Sequence, residues 1–153
     1  MVDILSYRVY TFTKVDAKTI ISILAQARKD KRYVFICGNG GSSCDSEHLA
    51  EDLFEKGIRA IALTNIGVIT SIANDYSYDL VFSKQLQVYA DKDDILITLS
   101  TSGTSENIVQ IQSFAKLNDM LVIKFPTNSD TGMVTALTQN VHKQLIHDIY
   151  LGL

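Results

Sequence analysis

The chain has 153 residues, of which 46% are hydrophobic and 20% are charged, and its formal net charge is −3. These values predict one domain spanning 1–153 with a sizeable core. No stripe of Lys and Arg stands out, which argues against nucleic-acid binding. No apolar run reaches the length of a membrane span, and residues 1–12 lack the pattern of a secretory signal peptide. The two cysteines, Cys37 and Cys44, then favour a reducing cytoplasm over a disulfide framework.

Short apolar segments alternate with longer segments of helical periodicity along the chain. In chain order we predict a helix at 16–31 that Asp16 caps, a strand at 33–37, a helix at 43–57 that ends at Gly57, a strand at 59–63, two short helices at 68–76 and 81–90, a strand at 94–99, a helix at 105–117, a strand at 120–125 that Pro126 ends, and a helix from about 134 to 151. This alternation predicts a parallel α/β sheet with right-handed crossovers.

The first predicted strand is followed by GNGGSS, at residues 38–43. Glycines permit unusual backbone angles and keep side chains out of a ligand's path, and helix N-termini bind anions well. A tight turn without a ligand is the alternative interpretation. The segment lacks both the GxGxxG pattern and the GK[ST] ending of a nucleotide P-loop, so a nucleotide site is disfavoured.

The third predicted strand is followed by STSGTSEN, at residues 100–107, which places five hydroxyl groups around Gly103. One of these hydroxyls is expected to cap the next helix. Because five exceed what capping and turn formation require, we predict a phosphate site at the carboxyl end of this strand.

Two helices carry residues that suit acid–base or metal chemistry. His48 and Asp52 are four residues apart and therefore share a helix face, with Glu51 as a competing acid. Gln139 and His147 lie on broadly the same side of the last helix, which also carries His142. Such a set can form a metal site or an acid–base pair. The alternatives are a helix-stabilising contact and ordinary surface or core histidines.

The chain resembles the sugar isomerase (SIS) domain family, and within it the phosphoheptose isomerases. The resemblance rests on four segments in order, CGNGGSSCDSEHLAEDL (37–53), SIANDYSYDLVFSKQL (71–86), DDILITLSTSGTSENI (93–108) and TQNVHKQLIH (138–147). It implies a flavodoxin-like three-layer sandwich, in which a parallel sheet of four to five strands is flanked by helices. It also implies a phosphosugar substrate, a homotetramer, a cytoplasmic location, and zinc. The implied activity is isomerisation of sedoheptulose 7-phosphate to D-glycero-D-manno-heptose 7-phosphate for bacterial surface glycans.

The resemblance also assigns roles to residues by position. The catalytic pair would be Asp52 and His147, and the metal ligands would be His48, Asp52, Gln139 and His147. The substrate-binding residues would be Asn39, Gly40, Gly41, Asn74, Asp75, Ser100, Thr101, Ser102, Ser105 and Gln139. Tyr76, Tyr78 and Tyr89 are assigned no chemistry.

The chain departs from the family pattern in two ways. Asp52 stands where the family has a glutamate, and its side chain is shorter by ~1.5 Å. Glu51 is not expected to replace it, because it points about 100° away around the helix. The chain is also short, since residues 127–137 leave no room for the further helix and fifth strand that the family normally has, and the sheet and oligomer are expected to be altered.

Two other functions remain open at this stage. One is a non-catalytic SIS protein, such as a phosphosugar-sensing domain or a relative of the DnaA initiator-associating protein. Retention of His48, Gln139 and His147 favours the enzyme over it. The other is an isomerase of a different phosphosugar, such as a hexulose or arabinose phosphate.

Overall fold

The computed structural model describes residues 9–11 and 16–153. Within them, five strands form one sheet in the order β1-β5-β4-β2-β3, and every neighbouring pair is parallel. The strands are β1 (Val9–Thr11), β2 (Tyr33–Gly38), β3 (Arg59–Ala62), β4 (Ile95–Leu99) and β5 (Leu121–Lys124).

The described residues form seven α-helices and one short 3₁₀ helix, Tyr78–Leu80. The α-helices are α1 (Ala17–Asp30), α2 (Gly41–Glu55), α3 (Ile66–Asp75), α4 (Ser83–Tyr89), α5 (Glu106–Leu117), α6 (Asn128–Thr131) and α7 (Thr135–Gly152). None of these helices combines the length and the apolar character needed to cross a bilayer.

The sheet confirms the predicted parallel α/β sandwich of four to five strands. Strands β3, β2, β4 and β5 follow the order 2-1-3-4 that is typical of flavodoxin-like folds. The fifth position is taken by β1, which pairs with the outer edge of β5 so that Val9 lies opposite Val122. Strand β1 is a correction, because no strand is predicted before residue 33.

The core has one apolar layer on each face of the sheet. Successive residues of a strand point to opposite faces, so Ile36 and Ile97 pack among residues of α1, α2 and α7, whereas Phe35 and Leu96 pack among residues of α3, α4 and α5. Both faces are therefore covered, as a parallel sheet requires.

Most predicted helix boundaries agree with the structure, with two corrections. Asp16 caps α1 as predicted, since its side chain accepts a hydrogen bond from the Lys18 N–H. Helix α2 begins at Gly41 and not at residue 43, because the first turn includes the glycine loop. No strand lies within 127–137, and α6, which was not predicted, is a single turn there under a capping box between Thr127 and Asp130.

Candidate active site

The two loops singled out in the sequence lie side by side at the carboxyl edge of the sheet. Strands β2 and β4 are direct neighbours, and Gly38 lies opposite Leu99 where they end. The loop β2–α2 and the loop β4–α5 therefore leave the sheet at adjacent points. This is the position at which the strand order reverses, where α/β folds bind their ligands.

A side-chain network joins the two loops. Asn39 and Asn107 exchange two amide hydrogen bonds of 2.9 Å, and Asn107 is 2% exposed. The Tyr78 hydroxyl donates a third bond, of 3.1 Å, to the side-chain amide oxygen Oδ1 of Asn39. Asn39, a predicted substrate residue, is thus fixed by two partners that the sequence analysis did not identify. Asn107 is the last residue of the STSGTSEN segment, and this position was the only signal for it in the sequence.

Two glycines of the GNGGSS loop, Gly40 and Gly41, keep space free of side chains for different reasons. Gly40 has a φ of +57°, and apart from its chain neighbours no atom of the described residues lies within 4 Å of the position a Cβ would take, so this part of the loop is open to a ligand. At Gly41, a Cβ would lie 2.9 Å from the Gln139 side-chain nitrogen. The missing side chain at Gly41 therefore lets Gln139 of α7 lie against the start of α2.

Three predicted catalytic or metal-binding side chains converge where α2 and α7 lie alongside each other. The His48 Nε2 atom is 3.5 Å from the Asp52 Oδ2 atom. The His48 and His147 rings meet edge to face, with 5.5 Å between centroids. Buried apolar residues of both helices, including Leu49, Leu53, Leu145 and Ile146, hold them together in the same core layer.

Of these three side chains, Asp52 is the one with a buried polar atom that lacks a hydrogen-bond partner in the described part of the chain. Its side chain is mostly buried, and its Oδ2 atom has no hydrogen-bond partner among the described residues. The 3.5 Å contact with His48 lies beyond the usual range of a hydrogen bond. Because an unpaired buried carboxylate oxygen is costly, this atom has the character of a ligand or a base.

Glu51 lies closer to the group than the sequence analysis expected. Ligand atoms of His48, Glu51 and Asp52 all lie within 4.8 Å of one another. Its 100° offset around α2 therefore does not keep its flexible side chain away. Imidazole nitrogen and carboxylate oxygen are common metal ligands in proteins. A metal ion bound here would satisfy the Asp52 Oδ2 atom, which has no hydrogen-bond partner among the described residues. The donor set fits a metal ion.

The hydroxyl-rich loop is ordered by its own side chains. The Ser100 hydroxyl accepts a hydrogen bond from the Gly103 N–H, and the Ser102 hydroxyl accepts one from the Thr104 N–H. Ser105 occupies the N-cap position of α5 but makes no side-chain cap hydrogen bond, so the expected capping by a hydroxyl is wrong. Its hydroxyl is available to a ligand.

Asn74 and Asp75 lie exposed at the end of α3, where the Asn74 amide donates to the Asp75 carboxylate at 2.9 Å. Within the described residues, no hydrogen bond connects either side chain to the two loops. The link between this segment and the loops is made by Tyr78 instead. Thr101, also a predicted phosphate residue, contributes its backbone carbonyl, which accepts from the Asn128 N–H.

His142 does not join the other histidines. It is fully buried, its Nε2 atom lies 2.6 Å from the Pro126 carbonyl oxygen, and its ring meets Phe125 edge to face. Burial lowers the pKa of His142, against the smaller raising effects of the Pro126 hydrogen bond and of Asp45. Of the three histidines, His142 is the structural one.

Comparison with known proteins agrees with this arrangement. The SIS domain family model matches residues 8–125. Phosphoheptose isomerase of Clostridium acetobutylicum is 44% identical over 71% of this chain, and the chain spans only 59% of that relative's length. Phosphoheptose isomerase of Cytophaga hutchinsonii is 36% identical over 88% of this chain and 79% of its own length.

Solved structures give the same result. Phosphoheptose isomerase from Neisseria gonorrhoeae superimposes with a TM-score of 0.80 at 31% identity, over 88% of this chain and 82% of that one. The enzyme from Francisella tularensis gives a TM-score of 0.79 at 26% identity, over 89% and 83%. The resemblance found in the sequence is therefore confirmed: the chain belongs to the SIS domain family, in which its relatives are phosphoheptose isomerases.

Proposed function

We propose that this protein isomerises sedoheptulose 7-phosphate to D-glycero-D-manno-heptose 7-phosphate. The observation that carries the proposal is the convergence of His48, Asp52 and His147 where α2, which begins in the GNGGSS loop, lies alongside α7. The names of the relatives support the same reaction.

The substrate is a ketose whose reaction moves hydrogen between two neighbouring carbons. A base removes a proton from C1 while the C2 carbonyl oxygen gains a proton, which gives an enediol. The C1 hydroxyl then loses its proton to become the aldehyde oxygen, and a proton is returned to C2. We assign the carbon-bound proton to Asp52, whose Oδ2 atom is free of hydrogen bonds. His147 serves the two oxygens as acid and base.

The phosphate end of the substrate is held away from the reacting carbons. We assign it to the loop of Ser100, Thr101, Ser102 and Ser105, and the sugar to Asn39, Gly40, Gly41, Asn74, Asp75 and Gln139. Phosphate binding at a distance fixes C1 and C2 near the acid–base pair, and this positioning is a major source of rate.

We assign zinc to His48, Asp52, Gln139 and His147, with Glu51 near enough to take part. When bound, such an ion polarises the carbonyl and hydroxyl oxygens of the substrate. Imidazole and carboxylate ligands suit zinc. The same proposal includes a single domain over 1–153, a cytoplasmic homotetramer, and a role in supplying heptose for bacterial surface glycans.

A non-catalytic phosphosugar-binding protein is the second candidate. It is favoured by the shorter acid Asp52, which stands where the resemblance implies a glutamate. In that case the loops would bind the phosphosugar while the shortened acid would not reach the reacting carbons.

The deciding experiment is a proton NMR time course of the purified protein with sedoheptulose 7-phosphate in D₂O, with and without zinc. We expect an aldoheptose product that is lost in Asp52→Asn and in His147→Ala and retained in the control Glu47→Gln, which changes an exposed acid on the same helix. Binding of the sugar phosphate without conversion or solvent exchange would favour the second candidate. If the folded protein shows neither binding nor conversion, the heptose assignment is wrong.

A further inference from the structure

A cavity of about 250 Å³ lies between the carboxyl ends of β4 and β5, on the side of the sheet that α5 covers. Its lining includes Ser100, Ser102, Gly103, Gln112, Lys124 and Thr127. No residue of the GNGGSS loop lines it. The cavity is thus formed by the hydroxyl-rich loop on one side and the loop after β5 on the other.

Lys124 is the one basic residue among the described residues that line this cavity. It ends β5 two residues after Val122, so strand alternation points both side chains toward α5. Lys124 is half-buried and makes no ion pair within the described part of the chain. Burial lowers the pKa of Lys124, the charge of Lys116 lowers it further, and Asp130 opposes both effects.

Asp130, the acidic residue on the cavity wall, is engaged elsewhere. Its Oδ2 atom accepts hydrogen bonds of 2.8 Å from both the backbone N–H and the hydroxyl of Thr127. Of the three influences on the pKa of Lys124, that of Asp130 is the smallest. Within the described residues, Asp130 therefore influences Lys124 without forming an ion pair with it.

The hydroxyl groups on the opposite wall are arranged to donate. Ser100 and Ser102 already accept hydrogen bonds from backbone N–H groups, so their own hydrogens can point to a ligand. Gly103 has a φ of +70°, and a Cβ there would lie 2.8 Å from the Thr127 side chain. Only a glycine lets the two loops close this tightly beside Lys124. Hydroxyl donors next to an ammonium group match the chemistry of a phosphate dianion.

We propose that Lys124 is the cationic contact of a phosphate group bound in this cavity between β4 and β5. The inference rests on the proposed phosphosugar function in so far as the phosphate belongs to the sugar. The same groups would also bind free inorganic phosphate. If the bound phosphate is that of the sugar, inorganic phosphate and the sugar phosphate compete for the cavity, and if it is free phosphate, they bind independently.

The test is titration calorimetry of the full chain with inorganic phosphate and with sedoheptulose 7-phosphate. Lys124→Met removes the charge and keeps the aliphatic stem, and we expect it to weaken phosphate binding about tenfold or more, as for loss of a charge-assisted hydrogen bond. Lys124→Arg should stay within about threefold of the wild type because it keeps the charge. Lys29→Gln, which removes an exposed charge on α1 on the other face of the sheet, is the control and should change binding less than about twofold.

Competition between the two ligands identifies the phosphate as that of the sugar, and independent binding identifies it as free phosphate. Unchanged phosphate affinity in a folded Lys124→Met overturns the inference. If that variant does not fold, Lys124→Gln gives the same comparison. Weakened phosphate binding in a protein that turns over no sugar would support Lys124 and refute the isomerase, so the two proposals fail separately.

Discussion

The Asn39–Asn107 pair predicts how strongly the two loops of the site depend on each other. Asn107→Ala removes two reciprocal hydrogen bonds of 2.9 Å at a position that is 2% exposed. Each such bond contributes about 0.5–1.5 kcal/mol, and the Asn39 amide is left without its partner, so we expect a loss of about 2–3 kcal/mol in unfolding free energy. With a typical urea dependence of about 2 kcal/mol per molar, the midpoint should fall by about 1–1.5 M.

The same variant should weaken substrate binding, because Asn39 in the first loop loses the contact that orients it. Tyr78→Phe is the matched comparison, since it removes one bond from an exposed residue and should cost less than about 1 kcal/mol. A double-mutant cycle of Asn39→Ala and Asn107→Ala should give a coupling of about 1–3 kcal/mol. A coupling near zero, or a midpoint within about 0.2 M of wild type for Asn107→Ala, would show that this pair does not couple the two loops.

The burial of His142 and of Cys37 and the length of the Asp52 side chain each lead to a prediction. Because burial lowers the pKa of His142, the unfolded chain takes up a proton on this histidine before the folded chain does as pH falls, so the free energy of unfolding should decline below about pH 6.5. In His142→Gln, urea unfolding should show a smaller decline of this free energy with falling pH, and an identical decline would contradict the assignment. Burial raises the pKa of the Cys37 thiol, whereas Cys44 is exposed. After treatment with iodoacetamide, mass spectrometry should therefore find one label, at Cys44, on the native protein and two labels on the unfolded protein. Rapid labelling of both cysteines in the native state would contradict the burial of Cys37. Asp52→Glu lengthens the acidic side chain by ~1.5 Å at a site that is 9% exposed. We expect a higher turnover number, because the carboxylate comes closer to the reacting carbons, and a loss of about 1 kcal/mol in unfolding free energy, because the longer side chain must be accommodated in a mostly buried site. An unchanged turnover number would show that the length of the acid does not limit the reaction.

The sheet was predictable from sequence where its strands are long and apolar. Strands β2 and β4 are continuous buried runs bounded by turn residues, and both were identified. Strand β1 was missed because three residues carry too little periodic signal, and its partner β5 is remote in sequence. The single turn α6 was missed because its stability comes from the Thr127–Asp130 capping box and not from an apolar face.

The candidate site was predictable where spacing on a helix decides proximity. The i,i+4 relation brings His48 and Asp52 together, but only packing between helices brings His147 to His48. Spacing failed for His142, which lies near Gln139 along α7 and yet faces the core at Pro126. The contacts of Asn107 and Lys124 depend on which loops the sheet order places side by side, so local sequence does not contain them.

The edge strand β1 has a consequence for the time course of folding. It joins the sheet by pairing with β5, about 110 residues further along the chain, whereas β2, β3, β4 and β5 meet partners over shorter separations. Pairing β1 with β5 first would close a loop nearly twice as long as that between β2 and β4, at an extra entropic cost of about 0.5 kcal/mol, whereas docking β1 onto the formed sheet closes only the connection from β1 to β2. We therefore expect β1 to dock last, onto a sheet whose other four strands are already paired, so its backbone amides should exchange with solvent through openings that leave β2 and β4 protected.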